Sequence, residues 1–127
     1  MIPPLPPRFL NWRLENGRKV PCRPDGTMCD AHDQSNHLTH AQAAASTRFG
    51  VAFALRAEDG LFVIDLDKCR QPDGNWTADA VAIFTSFTGA WGEVSQSGNG
   101  LHILGRCDPA AMVSRRNKWG GWLECYT

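Results

Sequence analysis

Residues 62–69 read FVIDLDKC: the apolar Phe62, Val63, Ile64 and Leu66 enclose two carboxylates, Asp65 and Asp67, two positions apart. β-branched, aromatic and aliphatic residues at this density predict a strand. Alternation along a strand puts Phe62, Ile64 and Leu66 on one face, and Leu61, Val63, Asp65 and Asp67 on the other. The first face belongs against a core. The second sets two carboxylates side by side, and their repulsion must be relieved by solvent, protons or a cation. The strand can simply run out into water with both Asp residues hydrated. Alternatively, a hard divalent cation such as Mg²⁺ binds through one or two carboxylates plus substrate phosphates. Two such ions roughly 3.5–4 Å apart stabilise the attacking and leaving oxygens of phosphoryl transfer. D-x-D is too short to choose between these by itself.

The rest of the chain narrows the choice. At 127 residues it has room for one modest core. Thirteen basic and thirteen acidic residues cancel, so any nucleic-acid contact must be local and not a property of the whole surface. The opening MIPPLPP lacks the charged start and apolar run of a signal peptide. No apolar run approaches the ~18 residues of a membrane span. A cytoplasmic protein without membrane contact is expected. Cys22, Cys29, Cys69, Cys107 and Cys125 are irregularly spaced and expected to be reduced. Cys22, Cys29 and His32 lack the C-x₂-C spacing and evident fourth ligand of a zinc site.

Along the chain, RFLNWRLENGRKVPC predicts a β-hairpin from Phe9 to Leu14 and Lys19 to Cys22 around an Asn16-Gly17 turn. Thr39 caps a predicted helix running to about Arg48. Residues 50–56 and LFVIDLD read as strands, expected to pair as an antiparallel hairpin around AEDG. Thr77 caps a second helix, with Val81, Phe84 and Phe87 on its packing side. WGEVS and LHILGR are strands flanking a QSGNG turn. DPAAMVSRRNK reads as a basic loop, and WGGWLECYT as a closing strand. The sum is an α+β domain of mostly antiparallel strands with two helices. It is expected to comprise a hairpin and helix unit over residues 1–49 and a motif-bearing unit over 50–127.

EVSQSGNGLHI, residues 93–103, carries the second motif. Gly98 and Gly100 let the backbone turn sharply and approach a ligand. Ser97 offers a hydroxyl, and successive N–H groups in such a turn can cradle an anion. His102 follows on the strand, on the face shared with Leu104 and Arg106. A histidine after such a turn, with an arginine four residues on, suits phosphate. A plain glycine hairpin beside a hydrogen-bonded histidine has the same sequence. In GWLECYT, Glu124 repeats the pattern of a carboxylate within an apolar strand, sharing a face with Trp122 and Tyr126. An edge strand with Glu124 in water is the plainer reading.

Taken in order, the strand with D-x-D, the glycine turn leading to histidine, and the strand with one carboxylate resemble the archaeo-eukaryotic primase superfamily. The likeness is greatest to the primase–polymerase domains of phages, plasmids and other mobile elements. RFLNWRLENGRKVP resembles the opening of that family, FGVAFALRAEDGLFVIDLDKC its first motif, EVSQSGNGLHI its second and WLECY its third. The resemblance implies an RRM-like catalytic core performing template-directed nucleotidyl transfer from (d)NTPs. It implies that Asp65, Asp67 and Glu124 are catalytic and hold two Mg²⁺ or Mn²⁺ ions. Ser97, Gly98, Gly100, His102 and Lys19 would serve the nucleotide. Arg106, Arg115, Arg116 and Lys118 would face single-stranded DNA template or primer, with Trp119 as a base platform. A helicase domain or protein is the expected partner. Gln96 stands where related domains often have proline. Those domains continue past the third motif, so the chain is expected to be truncated at its C terminus. A truncated module that binds nucleotide or single-stranded DNA without turnover is the alternative; a metal-dependent nuclease is a third.

Overall fold

The computed structural model describes residues 4–111, 116–119 and 123–126; for Ala111 and the last two segments only the backbone is described. The strands are β1 (Phe9–Glu15), β2 (Arg18–Cys22), β3 (Gly50–Phe53), β4 (Leu61–Leu66), β5 (Trp91–Val94), β6 (Leu101–Arg106), β7 (Arg116–Trp119) and β8 (Leu123–Tyr126). The α-helices are α1 (His40–Ala44) and α2 (Ala78–Ser86). The protein is α+β, and among the described residues all paired strands are antiparallel. They form a three-stranded sheet in the order β2-β1-β3 and a five-stranded sheet in the order β5-β6-β4-β8-β7. The chain divides into two compact units, Met1–Leu55 and Arg56–Thr127. Among the described residues no helix is long and apolar enough to cross a membrane.

In the first unit the hairpin forms as its turn residues dictate. Asn16 and Gly17 both take positive φ, 50° and 76°, which matches the twist of the flanking strands. The helix is shorter than expected: Thr39 and Gln42 make a reciprocal capping box, but the helix stops at Ala44. Ser46 and Thr47 compete for backbone hydrogen bonds and favour ending a helix over extending one. Buried Asn11 ties the unit together, with its Nδ2 donating to the carbonyls of Ala43 at 2.9 Å and Gly50 at 3.2 Å.

The expected hairpin between residues 50–56 and the D-x-D strand does not exist. β3 pairs with β1, through Phe9–Phe53 to Trp12–Gly50, and belongs to the first unit and its sheet. The division therefore falls after Leu55, not after Phe49. Gly50 explains the choice of partner: the Trp12 ring covers it so closely that a Cβ there would lie 2.0 Å from the indole. Phe53 meets the Phe9 ring at 5.1 Å. The AEDG segment is a turn, but a 3₁₀ turn over Ala57–Asp59 closed by left-handed Gly60, and it joins two different sheets.

In the second unit Ile64, Leu66, Leu101 and Ile103 bury one face of the sheet against Ala80 and Cys69. Phe62, Ile83 and Phe87 extend that core. The packing residues of α2 are Ala80, Ile83 and, at its C-cap, Phe87, with a half-exposed Phe84 at the rim; Val81 is exposed. The helix is rotated so that the small Ala80 sits deepest, while the Phe84 ring covers Gly92, where a Cβ would come within 2.3 Å of it. The basic segment expected as a loop is in part a strand. Arg116–Trp119 forms β7 and pairs with β8, which supplies backbone partners to the sheet edge.

Candidate functional site

The sheet of the second unit brings the separated motifs into one line. Register sets Glu93 opposite His102, His102 opposite Asp65, Asp65 opposite Glu124 and Glu124 opposite Lys118. Residues directly opposite one another in antiparallel strands share a face and are neighbours. One row across five strands thus carries Glu, His, Asp, Glu and Lys, on the face opposite the core. The neighbouring row on the same face is Trp91, Leu104, Val63, Tyr126 and Arg116.

The middle of the row is tied together by a hydrogen bond and an ion pair. His102 Nδ1 lies 2.9 Å from Glu93 Oε1, and Nε2 lies 3.4 Å from Asp65 Oδ1. The Asp65 oxygen is screened from solvent, whereas the Glu93 side chain is 59% exposed. The hydrogen bond to Asp65 raises the His102 pKa above its ordinary value; Glu93 acts in the same direction and partial burial opposes both. An imidazole with a carboxylate at each nitrogen favours the doubly protonated cation.

Asp67 follows the last residue of β4. Lys68 then takes positive φ, 50°, and turns the chain, which lets Cys69 enter the core with its thiol 3.4 Å from the Leu66 carbonyl. The Ser/Gly turn packs beside this corner. Gly98 has φ 79°, and Gly100 is pressed against β4, where a Cβ would lie 2.7 Å from the Leu66 carbonyl oxygen. The turn is closed internally. Ser95 Oγ accepts from Gly100 N–H at 3.0 Å, Ser97 Oγ accepts from Asn99 N–H at 3.3 Å, and Gly98 N–H donates to the Ser95 carbonyl at 2.9 Å. These N–H groups were expected to cradle an anion. In this conformation two of them donate to serine hydroxyls and the third to a carbonyl.

The nucleotide and DNA candidates are spread more widely. Lys19 lies on β2 in the first unit, with Nζ 4.7 Å from the centre of the Trp12 ring. Arg106 is exposed at the end of β6, opposite Leu61 and on the His102 face. Arg116 and Lys118 occupy β7 positions opposite Tyr126 and Glu124. Arg115 lies outside the described residues.

Two residues were not singled out from the sequence. Glu93 could have been, because the turn over 95–100 forces it opposite His102. Arg70 donates from Nε to the Gly74 carbonyl and from Nη1 to that of Gly98, and its guanidinium lies 5.1 Å from the Trp76 ring. It thereby fastens the 70–76 loop to the Ser/Gly turn. A cleft of about 530 Å³ between these loops is lined by Lys68, Arg70, Gln71, Pro72, Gly74 and Asn99.

Among the described residues no three His, Cys, Asp or Glu side chains converge as a ready metal cluster; this holds also for Cys22, Cys29 and His32. The Glu124 side chain lies outside the described residues. No protein-family model and no curated protein matches the chain.

Proposed function

We propose that this chain carries the nucleotidyl-transfer site of a primase–polymerase acting in the cytoplasm in replication of a phage or other mobile element. The observation that supports this best is the register: Asp65, His102 and Glu124, drawn from three separate motifs, occupy one row on adjacent strands β6, β4 and β8. Asp67 follows at the end of β4. The donor set fits Mg²⁺ or Mn²⁺, since Asp65, Asp67 and Glu124 offer only hard carboxylate oxygens. Bound there, two such ions would supply charge stabilisation to the α-phosphate and the leaving pyrophosphate and lower the pKa of the attacking 3′-hydroxyl. His102, favoured as a cation, would donate a charge-assisted hydrogen bond to the triphosphate. Ser97 and the N–H groups of Gly98 and Gly100 would join it by exchanging their internal bonds for phosphate oxygens. Arg106, Arg116 and Lys118 would hold single-stranded DNA through its phosphates, Arg115 would join them, and a helicase would supply unwinding.

The test is primer extension on a primed single-stranded template with dNTPs and Mn²⁺. Asp65→Ala should abolish product while the circular dichroism spectrum stays unchanged. Extension that survives this change removes Asp65 from the chemistry and the reading with it.

A second reading, a module that binds nucleotide or single-stranded DNA without turnover, is favoured by one observation. Asp65 lies in ion-pair range of His102 and the turn N–H groups are satisfied internally, so the site in this conformation is closed on itself. This reading expects nucleotide affinity but no extended product.

A further inference from the structure

We infer that Glu93 is a positioning residue: it holds His102 by Nδ1, so that Nε2 is the nitrogen presented to a ligand on the sheet. The inference rests on the nucleotide-site reading above.

An imidazole carries two chemically similar nitrogens, and a half-turn of the ring about its bond to Cβ puts a ring carbon where each of them was. A hydrogen bond to one nitrogen settles which of them faces the site. Here the two contacts are unequal. Glu93 Oε1 is at 2.9 Å, within the range of a charge-assisted hydrogen bond, and Asp65 Oδ1 is at 3.4 Å, at its outer limit. The Nε2 contact is thus the weaker and the more exchangeable of the two. Asp65 is also the carboxylate that a divalent cation would recruit. With Asp65 taken up by a cation, Nε2–H would be free to donate to a phosphate oxygen while Nδ1–H stayed on Glu93.

The location of Glu93 supports a positioning role over a structural one. It sits on β5, the outermost strand on its side of the sheet, and its side chain is mostly in water. Exposed ion pairs of this kind contribute little to folding. The hairpin itself is fixed by the turn bonds among Ser95, Gly98 and Gly100, none of which involves Glu93. Glu93 can therefore be changed without removing the strand that carries it.

The experiment uses the full chain, uniformly ¹⁵N-labelled, with long-range ¹H–¹⁵N spectra of the His102 ring. In the wild type, Nδ1 should show a protonated, hydrogen-bonded signal. Adding Mg²⁺ and a nucleoside triphosphate should shift Nε2 while Nδ1 stays in place. In Glu93→Val, whose β-branched side chain suits a strand, both ring signals should move toward those of a free imidazole. Triphosphate affinity should then fall on the order of tenfold, as when the partner orienting a ligating histidine is lost. Glu93→Gln keeps an acceptor oxygen and should restore most of the affinity. If the ring signals of Glu93→Val match the wild type, or if Nδ1 is the nitrogen that responds to triphosphate, the inference is overturned. If no variant and no wild type binds triphosphate, the nucleotide-site reading fails. The ring signals without ligand still decide whether Glu93 holds Nδ1.

Discussion

At the scale of single residues, the behaviour of the site turns on His102. Its folded pKa is raised, chiefly by the hydrogen bond to Asp65, so its cationic form is favoured in the fold. The sign follows from linkage: the stabilisation is present in full below the unfolded value of about 6.5 and is lost as pH rises through the folded pKa. His102→Gln should flatten that decline, measured as denaturant unfolding at a series of pH values from about 5 to 9. An unchanged pH profile would mean that the two carboxylates do not hold the ring. The candidates Asp65, His102 and Glu124 stood out in the sequence because each interrupts an apolar strand with a polar group, and the register sets them in one row. Glu93 was harder to see. An exposed glutamate on a short strand is ordinary in composition, and only the register across the turn gives it a partner.

At the scale of elements, the turns and glycines decide what pairs with what. Gly100→Ala would push a Cβ to 2.7 Å from the Leu66 carbonyl oxygen, and backbone cannot yield as a side chain end can. The expected cost is about 1–3 kcal/mol of stability, read by denaturant unfolding. A loss below about 0.5 kcal/mol would mean that the turn does not pack against β4 as described. On α2, Ile83→Ala should cost about 1–3 kcal/mol, whereas the exposed Val81→Ala should stay within about 0.5 kcal/mol. A reversed order would restore the packing side read from sequence. That reading held for Phe87 and for Phe84 over Gly92 but failed at Val81, because Val81 and Ile83 are both apolar and only Ile83 faces the core. Hydrophobicity alone does not say which stripe the sheet accepts. The misassigned hairpin has a similar cause: residues 50–56 and 61–66 are both apolar strands joined by a good turn, which makes them natural partners in one dimension. The contact that diverts β3 is Trp12 lying over Gly50, nearly forty positions apart in sequence.

At the scale of the whole molecule, the α+β class and the antiparallel strands were legible because strand and helix periods differ sharply. The order of the five-stranded sheet was not, since it depends on β8 reaching β4 across more than fifty residues. That order is what turns three scattered motifs into one row. The formal net charge of zero also has a consequence. With no general positive field, single-stranded DNA should be held by few contacts. If Arg106, Arg115, Arg116 and Lys118 are those contacts, log affinity against log salt should have a slope of about −3. A much steeper slope would point to a larger cationic surface than these residues make.

The most direct measurement is calorimetric titration of a nucleoside triphosphate with Mn²⁺ into the full chain, beside Asp65→Asn/Asp67→Asn. The row of Glu93, His102, Asp65 and Glu124, with Asp67 at its edge, predicts Mn²⁺-dependent binding that disappears in the double variant while the fold is kept. Binding that is equal in the two proteins, or absent from a folded wild type, would contradict a metal–nucleotide site on this face of the sheet.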